Sequence, residues 1–200
     1  MKLCLYQGTF NPPHLGHLQV AKFVSETLKL DKILFIPAAK PPHKSLQENK
    51  DDALHRLNMI KLLVSNEADF EVSDIEFRRE TPSYTCVTVK ELYQIYNLTE
   101  KPYFLIGDDA FAKIESWYYT DELKTLLDFV VLPRDDDFDK EKFEKLKNNG
   151  YNFQRLQMPK IYVSSTEIRE KVAKSLPLNN LTTKEVEKYI YEHNLYQNTD

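Results

Sequence analysis

Apolar residues along this chain come in short bursts separated by amphipathic stretches. Residues 2–7, Lys-Leu-Cys-Leu-Tyr-Gln, read as a buried strand, and a turn rich in glycine and proline follows at residues 8–13. Over residues 15–29, Leu18, Ala21, Val24 and Leu28 recur at helical spacing and predict an amphipathic helix. Residues 33–36 predict a second strand, residues 37–50 a proline-stiffened loop, and Asp52 the N-cap of a helix reaching about Val64. Residues 70–73 and 75–78 both look like strand material, and a helix follows from about Thr85 to Tyr96. Residues 103–106 predict a strand ending at Gly107, with short helices near 110–114 and 121–126 and another strand at 129–132. Lys140 to Asn148 predicts a charged helix with Gly150 as its C′ residue, and residues 161–163 predict a last strand. Ser164 with Glu167, and Thr182 with Glu185, match the capping box.

Strands alternating with helices at this spacing predict an α/β fold: a doubly wound, Rossmann-like parallel sheet with helices on both faces. Residues 1–160 would form the core, and 161–200 a small C-terminal helical subdomain completing the same domain. Ligands of such sheets bind beyond the carboxyl ends of the strands, at the topological switch point.

Composition narrows the ligand chemistry. The chain has 200 residues and only four glycines: Gly8, Gly16, Gly107 and Gly150. None has the spacing of G-x-G-x-x-G or of the Walker P-loop, so a bound nucleotide would have to be held by other means. A net charge of −4 argues against nucleic acid as a partner. Cys4 and Cys86 cannot form C-x-x-C, apolar runs are too short to span a membrane, and the N-terminus lacks signal-peptide form. The expectation is a cytoplasmic protein with reduced thiols.

The first turn carries the strongest chemistry: Gly8-Thr9-Phe10-Asn11-Pro12-Pro13-His14-Leu15-Gly16-His17. A helix N-terminus offers free N–H groups and partial positive charge, which favour phosphate. His14 and His17 share one face of the first helical turn, and a nearby phosphate would favour their donor forms. Gly8 and Gly16 would let an anion approach the backbone. Two histidines at this spacing also suit zinc or an exposed helix start, but neither alternative accounts for Gly8 and the Pro12-Pro13 turn.

This segment resembles the G-[ST]-F-x-P-x-H-x-G-H signature of the nucleotidylyltransferase superfamily. Four further segments are similar to one branch, the bacterial nicotinate-nucleotide adenylyltransferases. They are Pro41-Pro42-His43-Lys44, Thr81-Pro82-Ser83-Tyr84-Thr85, Ile106-Gly107-Asp108-Asp109 with Trp117, and Val163-Ser164-Ser165-Thr166-Glu167-Ile168-Arg169. The resemblance implies AMP transfer from ATP to nicotinic acid mononucleotide, in line and without a covalent intermediate, with Mg2+ accompanying ATP. It implies catalytic roles for His14, His17, Lys44 and Arg169. It places ATP against Gly8, Thr9, Phe10, His14, His17, Gly107, Asp109, Ser165, Thr166 and Arg169. It places the acceptor against Lys44, Tyr84, Thr85, Asp109, Trp117 and Arg134. Trp117 would stack on the pyridine ring, and the helix N-terminus near Thr85 would favour nicotinate's carboxylate over a neutral amide.

The implied partners are ATP and the mononucleotide, with no nucleic acid, no membrane and no protein metal ligand; a homo-oligomer is left open. Asp108 stands where the family often has alanine, an extra carboxylate that is costly near phosphates unless it points away or helps hold magnesium; Val87 stands where the family often has aspartate, which weakens the carry-over of a polar contact from that helix but not of its N-terminus. The competing readings are an adenylyltransferase preferring nicotinamide mononucleotide and a non-catalytic nucleotide-binding regulator on the same fold.

Overall fold

The computed structural model describes residues 1–41, 50–133 and 139–197. Six strands form one parallel sheet: β1 (Leu3–Gly8), β2 (Lys32–Pro37), β3 (Phe70–Val72), β4 (Tyr103–Gly107), β5 (Asp128–Leu132) and β6 (Phe153–Arg155), in the order 3-2-1-4-5-6. Strand side chains alternate between faces, and this period of two splits the core into two clusters. Leu3, Leu5, Leu34, Ile36, Phe104, Ile106, Phe129 and Val131 face one way. Cys4, Ile33, Phe35, Leu105, Val130 and Leu132 face the other.

Helices cover both faces. On the first lie α3 (Thr85–Ile95), α4 (Asp108–Phe111), α5 (Thr120–Leu126) and α6 (Lys140–Asn148), through Val89, Leu92, Phe111, Leu123 and Phe143. On the second lie α1 (Leu15–Leu28), α2 (Lys50–Leu63), α7 (Ser165–Ala173) and α8 (Lys184–Glu192), through Ala21, Val24, Met59, Ile60, Ile168, Val172, Val186 and Ile190. The sequence pattern anticipates this doubly wound α/β arrangement, and Gly150 takes the positive φ of 89° expected just past α6.

Four local expectations fail for identifiable reasons. Residues 75–78 form a 3-10 turn: the Ser73 hydroxyl accepts the Ile75 N–H, and the Phe77 N–H returns to the Asp74 carbonyl, so local turn chemistry outcompetes strand pairing. Residues 161–163 join no strand; Ile161 lies against Gly16, Tyr162 is 81% exposed, and Phe153–Arg155 supplies the sheet edge instead. Asp52 lies inside α2, which has already begun at Lys50. The last helix is capped by Thr183, whose hydroxyl accepts the Val186 N–H, while Thr182 is buried and donates to Pro13.

Reversal of strand order between β1 and β4 creates the switch point. Cys4 and Leu5 carry the β1–β4 register, so the strands part beyond Leu5 and Gln7 and Gly8 come to line the gap.

Candidate active site

Two neighbouring clusters occupy the carboxyl ends of the strands. The first is a cleft of about 160 Å³ lined by Gln7, Gly8, Thr9, Ala38, Pro41, Ser83, Tyr84, Thr85, Phe104, Trp117 and Tyr118. It is mainly apolar, with a few polar groups and the first turn of α3 on its wall, which suits a flat ring bearing one charged group. Trp117 stands edge-on to Phe104 at 6.1 Å between ring centres, and Tyr84 and Tyr118 stack at 4.3 Å. The hydrogen bond to Tyr118 pushes the Tyr119 phenol up, keeping it neutral at pH 7. Burial pushes the Cys86 thiol up as well, so its place in the first turn of α3 does not make it a thiolate.

A chain of hydrogen bonds backs this cleft. The Thr85 hydroxyl donates to Gln7 Oε1 at 2.7 Å, and Gln7 Nε2 donates to Glu76 Oε1 at 2.6 Å. Glu76, 1% exposed, also accepts from the Thr88 hydroxyl and the Ala39 N–H and lies 3.6 Å from Arg79. Because a carboxylate only accepts, the orientation of the Gln7 amide follows, and with it the direction of the Thr85 hydroxyl. Ser83 ties the loop before α3 to the loop after β2: its hydroxyl accepts the Lys40 N–H and its own N–H donates to the Lys40 carbonyl.

The second cluster surrounds the start of α1. His14 is the N-cap residue, in extended conformation, and its ring stacks on that of His17 at 3.7 Å. The His14 N–H donates to His17 Nδ1 at 3.2 Å. An accepting Nδ1 carries no proton, so in the neutral ring Nε2 is the donor. Arg169 donates to the Asn11 carbonyl at 2.6 Å and to the Thr166 hydroxyl at 3.2 Å, and Ser165 donates to the Pro12 carbonyl at 2.8 Å. In this structure these side chains brace the turn that leads into His14.

Packing adds a second requirement for glycine in this turn. A β-carbon at Gly8 would lie 2.9 Å from the Phe10 ring, and one at Gly16 would lie 2.9 Å from both His14 Nδ1 and Ile161 Cγ2. Both glycines therefore make room for neighbouring side chains, Phe10 at Gly8 and His14 with Ile161 at Gly16. Phe10, with φ of 51° and 3% exposure, turns its ring inward between Tyr6, Phe35 and His17, leaving backbone as the part it can offer a ligand.

The structure thus gathers Gly8, Thr9, Tyr84, Thr85 and Trp117 at the cleft, and His14, His17, Ser165, Thr166 and Arg169 at the turn. Gly107 ends β4 and precedes α4; Asp109 is exposed there and is not among the cleft-lining residues. Asp108 is buried and accepts the Asp109 N–H at 2.9 Å. Lys44 and Arg134 lie outside the described residues.

Sequence reading missed Gln7, Glu76, Arg56 and Tyr196. Arg56 alone left a readable signal, sitting on the stripe of Met59, Ile60 and Leu63 at helical spacing. It is 1% exposed and donates to the carbonyls of Thr9 at 2.8 Å and Ala38 at 2.7 Å.

Comparison with known proteins gives a consistent picture. Residues 5–171 match a family model described as cytidylyltransferase-like. The chain is 36% identical to a probable nicotinate-nucleotide adenylyltransferase of Caldicellulosiruptor bescii, over 98% of this chain and 100% of that protein. It is 37% identical to the nicotinate-nucleotide adenylyltransferase of Bacillus subtilis, over 98% of each. It superposes with a TM-score of 0.78 on Plasmodium falciparum nicotinic acid mononucleotide adenylyltransferase complexed with NaAD, at 23% identity over 98% of this chain and 97% of that one. At that identity the last likeness is one of fold.

Proposed function

This chain belongs to the nicotinate-nucleotide adenylyltransferases of the cytidylyltransferase-like family, and from that premise we infer that it transfers AMP from ATP to nicotinic acid mononucleotide. A phosphate oxygen of the mononucleotide attacks the α-phosphorus of ATP. The bond to the β-phosphate bridging oxygen breaks, giving deamido-NAD and pyrophosphate. With a second pKa of about 6, the attacking phosphate is already mostly dianionic at pH 7, so no general base is required. The protein's tasks are to align two anions and to neutralise charge on the leaving pyrophosphate.

The observation that carries this reading is the stacked histidine pair at the start of α1, beside an aromatic cleft at the start of α3. His17 Nε2, with His14 and the α1 N-terminus, would donate to the ATP phosphates. Arg169, Ser165 and Thr166 would meet the triphosphate from α7, and Lys44 and Arg134 would add cationic contacts. Gly8, Thr9 and the Phe10 backbone would run beside adenosine, with Gly107 and Asp109 nearby. Trp117 and Tyr84 would hold the pyridine ring, and the α3 N-terminus near Thr85 would favour its carboxylate. Mg2+ would enter as part of the ATP substrate, coordinated by phosphate oxygens and water. No helix among the described residues is long and apolar enough to cross a membrane.

Pyrophosphate release tests the reading. With Mg·ATP, nicotinic acid mononucleotide should give turnover, and nicotinamide mononucleotide a kcat/KM lower by at least about tenfold, the equivalent of one favourable charge–dipole contact in a partly buried site. Equal values would overturn the carboxylate argument. No release from folded protein would leave a nucleotide-binding regulator as the better reading.

Gly16→Ala offers a second check. Glycine within a helix usually costs about 0.5–1 kcal/mol relative to alanine. Here the added methyl would press on His14, so kcat should fall by about 10–100-fold, since a misplacement near 1 Å has effects of that size. Steady-state kinetics beside a melting curve would separate the two effects, and an unchanged kcat would show that His14 placement does not limit the rate.

A further inference from the structure

Pro12 and Pro13 have no backbone N–H. Beside the local His14–His17 bonds, the turn leading into His14 is tied by hydrogen bonds to the C-terminal part of the chain. The Asn11 carbonyl accepts from Arg169 at 2.6 Å, the Pro12 carbonyl from Ser165 at 2.8 Å and the Pro13 carbonyl from Thr182 at 3.1 Å. The Tyr196 hydroxyl donates to Asn11 Oδ1 at 2.5 Å, and the Leu15 N–H donates to the Leu181 carbonyl at 3.0 Å. Leu181 and Tyr196 pack against the same core cluster as α1, which anchors these donors.

The donors fall into two classes. Ser165 and Arg169 lie at the edge assigned to the triphosphate, so a ligand would compete for them. Thr182 and Tyr196 are not in that role, and their bonds can persist while ATP binds. We propose that Thr182 and Tyr196 are positioning residues, which hold the His14–His17 pair in register for adenylyl transfer by fixing Pro13 and Asn11. The proposal rests on the assignment of His14 and His17 to the phosphates. Neither residue touches substrate; each acts through the turn.

Tyr196→Phe removes the donor and keeps the ring packing. It should lower kcat roughly tenfold, a fraction of the loss that a 1 Å misplacement can produce, with KM for both substrates within about twofold. Thr182→Val should behave in the same way, whereas Thr182→Ser, which keeps the hydroxyl, should retain wild-type kcat. Combining Tyr196→Phe with Asn11→Ala should cost no more than the larger single loss, because both remove one hydrogen bond. Unchanged kcat in Tyr196→Phe, equal loss in Thr182→Ser and Thr182→Val, or multiplicative loss in the double variant would each overturn the proposal. So would a loss that tracks melting temperature and disappears on cooling.

A readout without turnover separates failure of this proposal from failure of the assigned activity. Nitrogen NMR of the His17 ring reports its tautomer in free enzyme. Wild type should show Nδ1 unprotonated, held by the His14 N–H. Tyr196→Phe and Thr182→Val should shift the ring toward a mixture of tautomers. An identical tautomer in wild type and both variants would overturn the positioning role, whatever reaction the enzyme proves to catalyse.

Discussion

His17→Ala should lower kcat by about 10²–10³-fold, the range seen when one preorganised donor to a developing oxyanion is removed. The size follows from the chemistry left for the protein. The acceptor phosphate supplies its own nucleophile, so the barrier is governed by how well charge is met on the transferring and leaving phosphates. In the proposed mechanism His17 would meet that need with an oriented donor: the His14 N–H occupies Nδ1 at 3.2 Å and leaves Nε2 to donate. The ring is held from the other side by Phe10, edge-on at 5.0 Å. Binding of the mononucleotide should change by less than about twofold, because its ring belongs in the cleft of Trp117 rather than at the α1 turn, and contacts made outside the transition state shift KM rather than kcat. Trp117 is the sole tryptophan, so quenching of its fluorescence measures that binding directly. His17→Gln, whose amide nitrogen reaches close to the position of Nε2, should recover part of the rate. Unchanged turnover in His17→Ala would move the chemistry away from this turn.

A mechanism that needs no catalytic base also sets the expected pH behaviour. The rate should rise as the acceptor phosphate loses its second proton, near pH 6, and then level off. A histidine acting as general base would instead tie the rising limb to its own titration in the enzyme–substrate complex, and His17→Ala would remove that limb.

How far the sequence reaches can be seen residue by residue. The alternation of buried strands with amphipathic helices is local, so the doubly wound sheet and its switch point are readable from hydrophobic period alone. The histidine turn is readable for the same reason, since its chemistry is contiguous. What is not readable depends on partners distant in sequence. Glu76 sits among other charged residues, Asp74, Arg78, Arg79 and Glu80, and nothing nearby shows that Gln7, 69 positions away, will meet it. Tyr196 and Asn11 are 185 positions apart. Gly8 and Gly16 announce missing side chains, but only packing shows that Phe10, His14 and Ile161 take the space. Residues 161–163 have strand-like composition, yet strand preference describes a fit to a pleated, half-buried surface, and this segment crosses the start of α1 instead.

Arg56→Ala should be strongly destabilising, costing about 3–5 kcal/mol, the sum of lost charge-assisted hydrogen bonds and a buried void. The guanidinium is 1% exposed and bridges the carbonyls of Thr9 and Ala38 at 2.8 and 2.7 Å. Removing it takes the donor from a buried carbonyl, Ala38, and a part-buried one, Thr9, at about 1–3 kcal/mol each, and leaves a void where the longest side chain in that stripe had been. In a chain of this size each kcal/mol moves the melting temperature by about 2–4 °C, so a fall on the order of 10 °C is expected. Arg56→Lys should recover only part of this, since a single ammonium lacks the planar fork of the guanidinium. The effect should also reach the site. Thr9 follows β1 and Ala38 follows β2, and both line the cleft assigned to the mononucleotide. Well below its melting temperature, Arg56→Ala should therefore still fold but bind the mononucleotide more weakly, as read by Trp117 quenching. A melting temperature within about 2 °C of wild type would be too small a change for the loss of these two hydrogen bonds. It would mean that water or another side chain satisfies both carbonyls, and that the two loops are held together by the Ala38 N–H to Gly8 carbonyl bond and the Ser83–Lys40 clasp instead.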